Sequence, residues 1–338
     1  MRRDTSDSDG LGKKGSHMNA VETHGRRLAV GRLGILSLIA VLLLTIGSGR
    51  AFSDDLAQLK THHFEPLTSQ PVFSGNDGHW DAKIRERGWI LKDADIWRLW
   101  YTGFDPAQQP PIMRLGYATS PDGLTWTRQT IDKPLIEDLW VEDMMVVQHD
   151  GTYFMFAEGL NDQAQLLESA DGTQWTRRGS LDVRLMNGQP IPPGPYGTPT
   201  AWFEDGVWNL FYERRDQGIW LARSTDMKTW TNVSDKPLIV PGPEEYDLLM
   251  IAMNQVIWKD GRYLAVLHGT GTPQKPREWC TYLAESKDLR SWSKLDVNPL
   301  RPVPENKSSG QLVYDGTNWR LYTMHDKVNV HILKPLAP

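Results

Sequence analysis

A single cysteine, Cys280, in 338 residues excludes an intrachain disulfide and any zinc site built on two thiolates. Flanked by Trp279 and Thr281 at the start of an apolar stretch, it reads as a packing residue. Basic blocks are missing beyond the N-terminus and the net charge is −5, so the chain has no electrostatic footprint for a nucleic acid. Long apolar runs are missing as well. The longest covers residues 33–47, about fifteen residues, which is short for a bilayer span. It follows Arg26, Arg27 and Arg32 and leads into Gly49-Arg50-Ala51, the small residues a signal peptidase reads. The expectation is a leader and signal peptide over residues 1–51, with Met18 as the start and cleavage after Ala51. No membrane span then remains in the mature chain. Export without disulfides points to a bacterial periplasm or exterior.

What the chain has in abundance is repetition. The phrase Ser-x-Asp-x-x-x-Trp occurs at Ser120-Pro121-Asp122 to Trp126, Ser169-Ala170-Asp171 to Trp175, Ser224-Thr225-Asp226 to Trp230 and Ser286-Lys287-Asp288 to Trp292. The Ser-to-Ser spacings of 49, 55 and 62 residues are the length of a four-stranded unit. In each of five units, two apolar or aromatic runs flank a turn signal: Asp150-Gly151, Asp205-Gly206, Asp260-Gly261 and Asp315-Gly316, with Asp93-Ala94-Asp95 in the first unit. Asp-Gly favours the positive φ that a tight hairpin needs. A third strand leads into each phrase, and an outer strand ending near proline follows it. The fifth unit stops without its outer strand, and residues 64–73 near the N-terminus carry that missing signature. The pattern predicts an all-β, five-bladed β-propeller over residues 56–338, its ring closed by an N-terminal strand in the last blade.

In such a ring, residues preceding each inner strand and residues ending each second strand meet on one rim of the central channel. Nine residues before Ile90, Val146 and Val256 stand Asp81, Glu137 and Asp247, and Trp80 and Tyr246 precede two of them. Closer in are the equivalent Glu86 and Glu142, the latter followed by Asp143. Second strands end at Thr102, Glu158, Glu213 and His268, with His325 one step further along in the last blade. A carboxylate-rich rim suits glycosidic bond cleavage, which needs one protonated and one ionised acid; crowding and burial separate their pKa values. Trp80, Trp140 and Trp89 are the first candidates for stacking on sugar faces. The Asp of each Ser-x-Asp phrase is read as a turn cap.

The whole unit, from inner strand through Asp-Gly turn and Ser-x-Asp box to a Pro-Leu outer strand, resembles the five-bladed propeller glycosidases. These are the arabinanase, levansucrase and invertase superfamily, with glycoside hydrolase families 43, 32 and 117. A sialidase box is similar but has one more residue between Asp and Trp. The resemblance covers nearly all of residues 64–332. It implies an exported glycoside hydrolase of an oligo- or polysaccharide, with three acids from successive blades. Asp143 matches the second of these, standing ten residues before Tyr153 with Met144 in place of a proline. The first lies between Asp81 and Glu86, with Asp81 favoured. The expected third-blade Glu falls on Gly197-Thr198-Pro199, which holds no acid, and Glu213 is the nearest replacement; His268 is the other candidate proton donor. Catalytic Asp81, Asp143 and Glu213 are thus expected, with Trp80, Glu86, Glu142, Trp140, Asp247, His268 and His325 around the substrate.

This chemistry requires no cofactor, and no spacing here specifies a metal or a channel calcium. Two rival readings remain: a non-catalytic sugar-binding propeller, motivated by the absent third-blade Glu, and a glycoside phosphorylase of the related family 130. The second needs a cationic phosphate pocket, for which Arg214, Arg215 and Arg87 are available.

Overall fold

The computed structural model describes residues 58–259 and 261–335. The expected leader and signal peptide, and Asp260 of the fourth hairpin, lie outside the described residues. Among the described residues, no helix is long and apolar enough to cross a membrane.

Five antiparallel sheets form the blades of a β-propeller. The N-terminal strand is β1 (His62–Pro66). Blade 1 holds β2 (Lys83–Asp93), β3 (Ile96–Phe104), β4 (Arg114–Ser120) and β5 (Thr127–Arg128); blade 2 holds β6 (Glu142–His149), β7 (Thr152–Gly159), β8 (Gln163–Ser169) and β9 (Thr176–Ser180). β10 (Asp182–Arg184) precedes blade 3, which comprises β11 (Gly197–Glu204), β12 (Val207–Glu213), β13 (Ile219–Ser224) and β14 (Thr229–Asn232). β10 lies parallel beside β14 as a fifth, outermost strand that the repeat did not predict. Blade 4 is β15 (Met250–Lys259), β16 (Arg262–Thr270), β17 (Cys280–Ser286) and β18 (Trp292–Lys294), and blade 5 is β19 (Gly310–Tyr314), β20 (Trp319–Met324) and β21 (Val328–Pro335), completed by β1.

The first strand of each blade lines the channel, and side chains close the ring where backbone ladders cannot. Gln311 on β19 donates to the Ile90 carbonyl and accepts from its N–H at 2.7 and 2.8 Å. Gln255 on β15 grips Leu312 in the same way, at 3.0 and 2.9 Å. Each amide imitates a backbone unit and satisfies two groups that the curved barrel of inner strands leaves unpaired.

The Ser-x-Asp boxes are turns that also tie blades together. Asp122 Oδ1 accepts from the N–H groups of Leu124 and Thr125 at 2.8 and 2.7 Å, and Asp171 does the same for Thr173 and Gln174 at 2.7 and 2.8 Å. These donors hold both carboxyls below the usual range, Asp171 at about 2. The carbonyl of Gly172 then receives Trp100 Nε1 from blade 1 at 2.7 Å, and that of Gly123 receives Tyr322 Oη from blade 5 at 3.1 Å. A repeated turn thereby presents a carbonyl to the aromatic second strand of the preceding blade.

Ring closure follows the expected partner in a shifted register. Regular pairing runs from His62 opposite Pro335 to Pro66 opposite His331, earlier than residues 66–73. Beyond it the chain keeps to β21 through Leu67 N–H to Val330, Val72 N–H to Val328, and Val328 N–H to Phe73, at 2.8–2.9 Å. Pro66 and Pro71 lack N–H groups and interrupt the ladder, so the regular strand ends there. Phe64 is 1% exposed and packs with Leu59, Leu264, Val266, Leu312 and Leu321 between blades 4 and 5. Phe64→Ala is expected to cost about 3–5 kcal/mol in denaturant unfolding; an unchanged midpoint would show that closure contributes little.

Candidate active site

Three inner strands begin with a bulge. Their registers shift between Arg85 and Trp89, Glu142 and Met145, and Gly197 and Thr200. At each shift a non-glycine residue takes positive φ: Arg87 at 26°, Asp143 at 46° and Thr198 at 42°. A bulge re-aims the side chains beside it, and such a conformation persists only where the surroundings enforce it. Here the enforcing group is the buried Arg87 guanidinium. It donates to Asp143 O at 3.0 Å, Pro199 O at 2.8 Å, Thr200 Oγ1 at 2.8 Å and Asn254 O at 2.9 Å, joining blades 1 to 4 at the channel mouth. Burial lowers its pKa to about 10, and it remains charged at neutral pH.

Around this cation stands a cluster of acids. Glu158 on β7 faces Glu142 on β6, and Glu213 on β12 faces Gly197 on β11. Glu158 Oε1 accepts from the Thr198 N–H at 2.5 Å and from its hydroxyl at 3.1 Å. Gly197, where the third acid was expected, is occupied from both sides: Oε1 of Glu158 and of Glu213 would lie 2.1 and 3.0 Å from a Cβ placed there. The missing side chain thus makes room for two carboxyls from neighbouring blades. Glu142 accepts from Trp140 Nε1 at 2.8 Å and pairs with Arg85 Nη1 at 3.3 Å. Asp143 Oδ1 is buried without a hydrogen-bond partner, although the residue as a whole is only half-buried.

Burial and mutual repulsion raise these acids together. Asp143 rises to about 7, through burial first and then the charge of Glu86, with Arg87 opposing. Glu142 rises to about 7, mainly through burial and against the pull of Arg85. Glu213 reaches about 8 through burial and the neighbouring Asp216, whose N–H it accepts at 2.5 Å. Glu158 lies well above the usual range, through burial and the charges of Asp143 and Glu213; Glu86 is raised for the same kinds of reason. A group of acids poised near neutrality can hold a proton on one member while another is ionised.

Asp216 and Asp162 were not among the expected site residues. Asp216, on the turn after β12, is itself raised to about 7 by burial and by Asp143 and Glu86. Its signal was its position three residues after Glu213, at the tip of the same hairpin. Asp162, on the exposed turn after β7, brings one oxygen within 4.8 Å of oxygens of Glu142 and Glu158, close enough for the three to share a divalent cation.

The acids nine residues before the inner strands are placed elsewhere. Asp81 is 0% exposed and accepts at 2.7 Å from both Tyr101 Oη and Arg128 Nε on the outer strand β5. Asp247, also 0% exposed, pairs with Lys294 on the outer strand β18. In both blades the loop before the inner strand is anchored to the outer strand by a buried ion pair, so neither carboxylate can touch a sugar. This corrects the expectation of Asp81 as a base and of Asp247 beside the substrate; the recurring spacing records a repeated structural pair. Trp80, half-buried, donates to Thr130 O at 2.8 Å and stacks one face on Tyr101, and Trp89 is buried in the core between blades 1 and 2 and offers no free face. Glu137 is exposed and pairs with Lys133.

The two histidines lie at the cluster without carrying charge into it. His268 is buried, shares a hydrogen bond of 2.8 Å with Asn254 Oδ1, and is pushed down to about 3 by burial and Arg87. That value leaves it neutral and a poor proton donor at neutral pH. His325 meets Ser308 Oγ at 3.2 Å, its pKa lowered mainly by burial.

The all-β ring of five blades is the fold of solved structures described as glycosidases and glycoside hydrolases. No protein-family model matches the chain. In sequence it is similar to a 1,2-β-oligomannan phosphorylase of Thermoanaerobacter sp. (strain X514), 29% identical over 259 residues, which are 71% of this chain and 81% of the relative. In structure it is similar to a glycosyl hydrolase from Bacteroides ovatus, with a TM-score of 0.66 and 18% identity over 82% of this chain and 95% of that one. It is also similar to the β-1,2-mannobiose phosphorylase of Listeria innocua in complex with β-1,2-mannobiose, with a TM-score of 0.59 and 14% identity over 80% and 96% of the two chains.

Gly197→Ala tests the geometry of the cluster. The added methyl must displace the Glu158 carboxyl, and a shift of about 1 Å at a catalytic group typically costs about a hundredfold in turnover. Activity equal to wild type in a folded Gly197→Ala protein would mean that the two carboxyls need not meet there.

Proposed function

We propose that this protein is a glycoside hydrolase whose substrates are β-mannosides. One observation favours water over phosphate: of the three arginines expected to form a phosphate pocket, Arg87 and Arg214 are already committed. Arg87 spends its guanidinium on oxygens of four residues, and Arg214 donates to the carbonyls of Pro192, Pro193 and Pro195. Arg215 is exposed, and the acids beside Arg87, Asp143 and Glu158, repel a phosphate dianion when ionised. The mannoside is supported by similarity to the 1,2-β-oligomannan and β-1,2-mannobiose phosphorylases. That similarity also favours phosphorolysis as the second reading, in which phosphate stimulates turnover and the product is a sugar 1-phosphate.

In this proposal Asp143 gives its proton to the leaving oxygen, because it is half-buried and burial raises its pKa to about 7. A donor must touch the bulky substrate, whereas a base need reach only water. The more deeply buried Glu213, with Glu158 against it, takes the proton of the attacking water. No cofactor enters this scheme. Export, read from the segment before residue 52, belongs to the same proposal.

Asp143→Asn is expected to slow hydrolysis of β-linked mannobiose by about 10²–10⁴-fold and of a nitrophenyl β-mannoside far less, since a good leaving group needs no proton. Glu213→Gln should lose both, with azide restoring the nitrophenyl reaction. Equal losses in the two variants on every leaving group would reverse or remove these roles.

The pH profile follows from the same groups. Asp143, raised to about 7, acts while protonated and is lost as pH rises through that value. Glu213, raised to about 8, acts while ionised and is gained as pH rises through its own. Their product is a bell in the neutral range, whereas unshifted carboxyls would centre it near pH ~4. Measured kcat/KM peaking in acid would overturn the assignment.

A further inference from the structure

We infer that the cleft beside Trp140 is a binding subsite for non-reacting residues of a neutral oligosaccharide chain; this rests on the proposed glycosidase reading. The cleft has a volume of about 630 Å³, within the range of small-ligand sites. Three segments enclose it: Pro111 and Ile112 from the loop before β4, Leu139 and Trp140 before β6, and Leu160 and Asn161 on the turn after β7.

Trp140 joins this cleft to the acids. Its Nε1 donates to Glu142 Oε1 at 2.8 Å, and its carbonyl accepts from the buried Gln165 Nε2 at 2.7 Å. Gln165 is held in turn by Arg177 Nε at 2.7 Å, so the indole is fixed at both ends while its ring lines the cavity. A fixed, half-buried aromatic ring beside reactive carboxyls offers a flat apolar surface for sugar C–H groups at low entropic cost. The turn after β7 reinforces the link, since Asn161 faces the cleft while the adjacent Asp162 reaches Glu142 and Glu158. Leu160, 62% exposed at the lip, is an apolar side chain with no packing role to explain it.

The charges around the cleft select the ligand. Glu137 and Asp138 line it and Asp162 flanks it, while its one arginine, Arg177, is engaged by Gln165 and Ser180. A chain bearing uronate or sulfate groups would meet these carboxylates, of which Glu137 alone is shown with a lysine partner, Lys133, whereas a neutral chain has hydroxyls for Asn161 and Gln163, whose side-chain amides make no hydrogen bond among the described residues.

Calorimetry on Asp143→Asn, whose turnover is expected to be about 10²–10⁴-fold slower, tests this with neutral manno-, gluco-, xylo- and galacto-oligosaccharides of two to four units and oligogalacturonate of equal lengths. The expected result is a neutral series whose affinity rises about tenfold from two units to four. That gain should disappear on adding Trp140→Ala or Leu160→Asp. The exposed position of Leu160 keeps the second variant folded, and its melting temperature should match the parent. No gain with length, a gain that survives both substitutions, tighter binding of the uronate series, or no binding by any neutral chain would each overturn the subsite. Turnover of an aryl mannoside by the wild type separates the two ideas. Turnover without a length-dependent gain removes the cleft and keeps the hydrolase; the gain without turnover does the reverse.

Discussion

One buried guanidinium holds the mouth of the channel together. Arg87 receives no carboxylate partner of its own; it meets oxygens from three other blades, in each of them at a register shift of the inner strand. A charge taken out of water is costly unless its donors are met, and here Nη1 and Nη2 are met by groups that would otherwise be orphaned. The contact therefore works in two directions. It fixes the backbone of Asp143 in a conformation that a non-glycine residue seldom adopts, and it sets a positive charge beneath the acids.

That charge explains why so many acids can share one site. Glu86, Glu142, Asp143, Glu158, Glu213 and Asp216 are each pushed upward by burial, and most also by one another. Without a nearby cation they would all favour the neutral form. Arg87 acts on Asp143, and Arg85 on Glu142, and each opposes the rise that burial imposes on its acid. Positioning and electrostatics are therefore one property of the bulges.

The propeller supplies the rigidity this needs. Blades meet through large aromatic side chains and through carbonyls of repeated turns, and the inner strands are stitched by glutamine amides. Each blade can then contribute one or two side chains to the mouth without loops having to order on binding, which favours a preformed site.

Much of this was legible in the sequence, because repetition reports local structure directly. Four Ser-x-Asp boxes, paired apolar runs and Asp-Gly turns specify strands, hairpins and their count, and the unmatched last blade calls for an N-terminal strand. The rim positions at the ends of the second strands were equally readable, since antiparallel pairing converts equal spacing into equal height; Glu158, Glu213 and His268 stand where that rule puts them. The same rule misled at Asp81 and Asp247. Spacing places a backbone position, but whether its carboxyl turns to the channel or to the outer strand depends on a cation, Arg128 or Lys294, that arrives from elsewhere in the blade. Only the tertiary structure decided that Gly197 is a space filled by two neighbouring acids and that Arg87 is a structural tie instead of a ligand group. It alone brought Asp162 and Asp216 into the cluster from turns. Local pattern determined the blades because each is stabilised by its own ladder and turns, whereas the site is made of contacts between blades, and those come into being only when the ring closes.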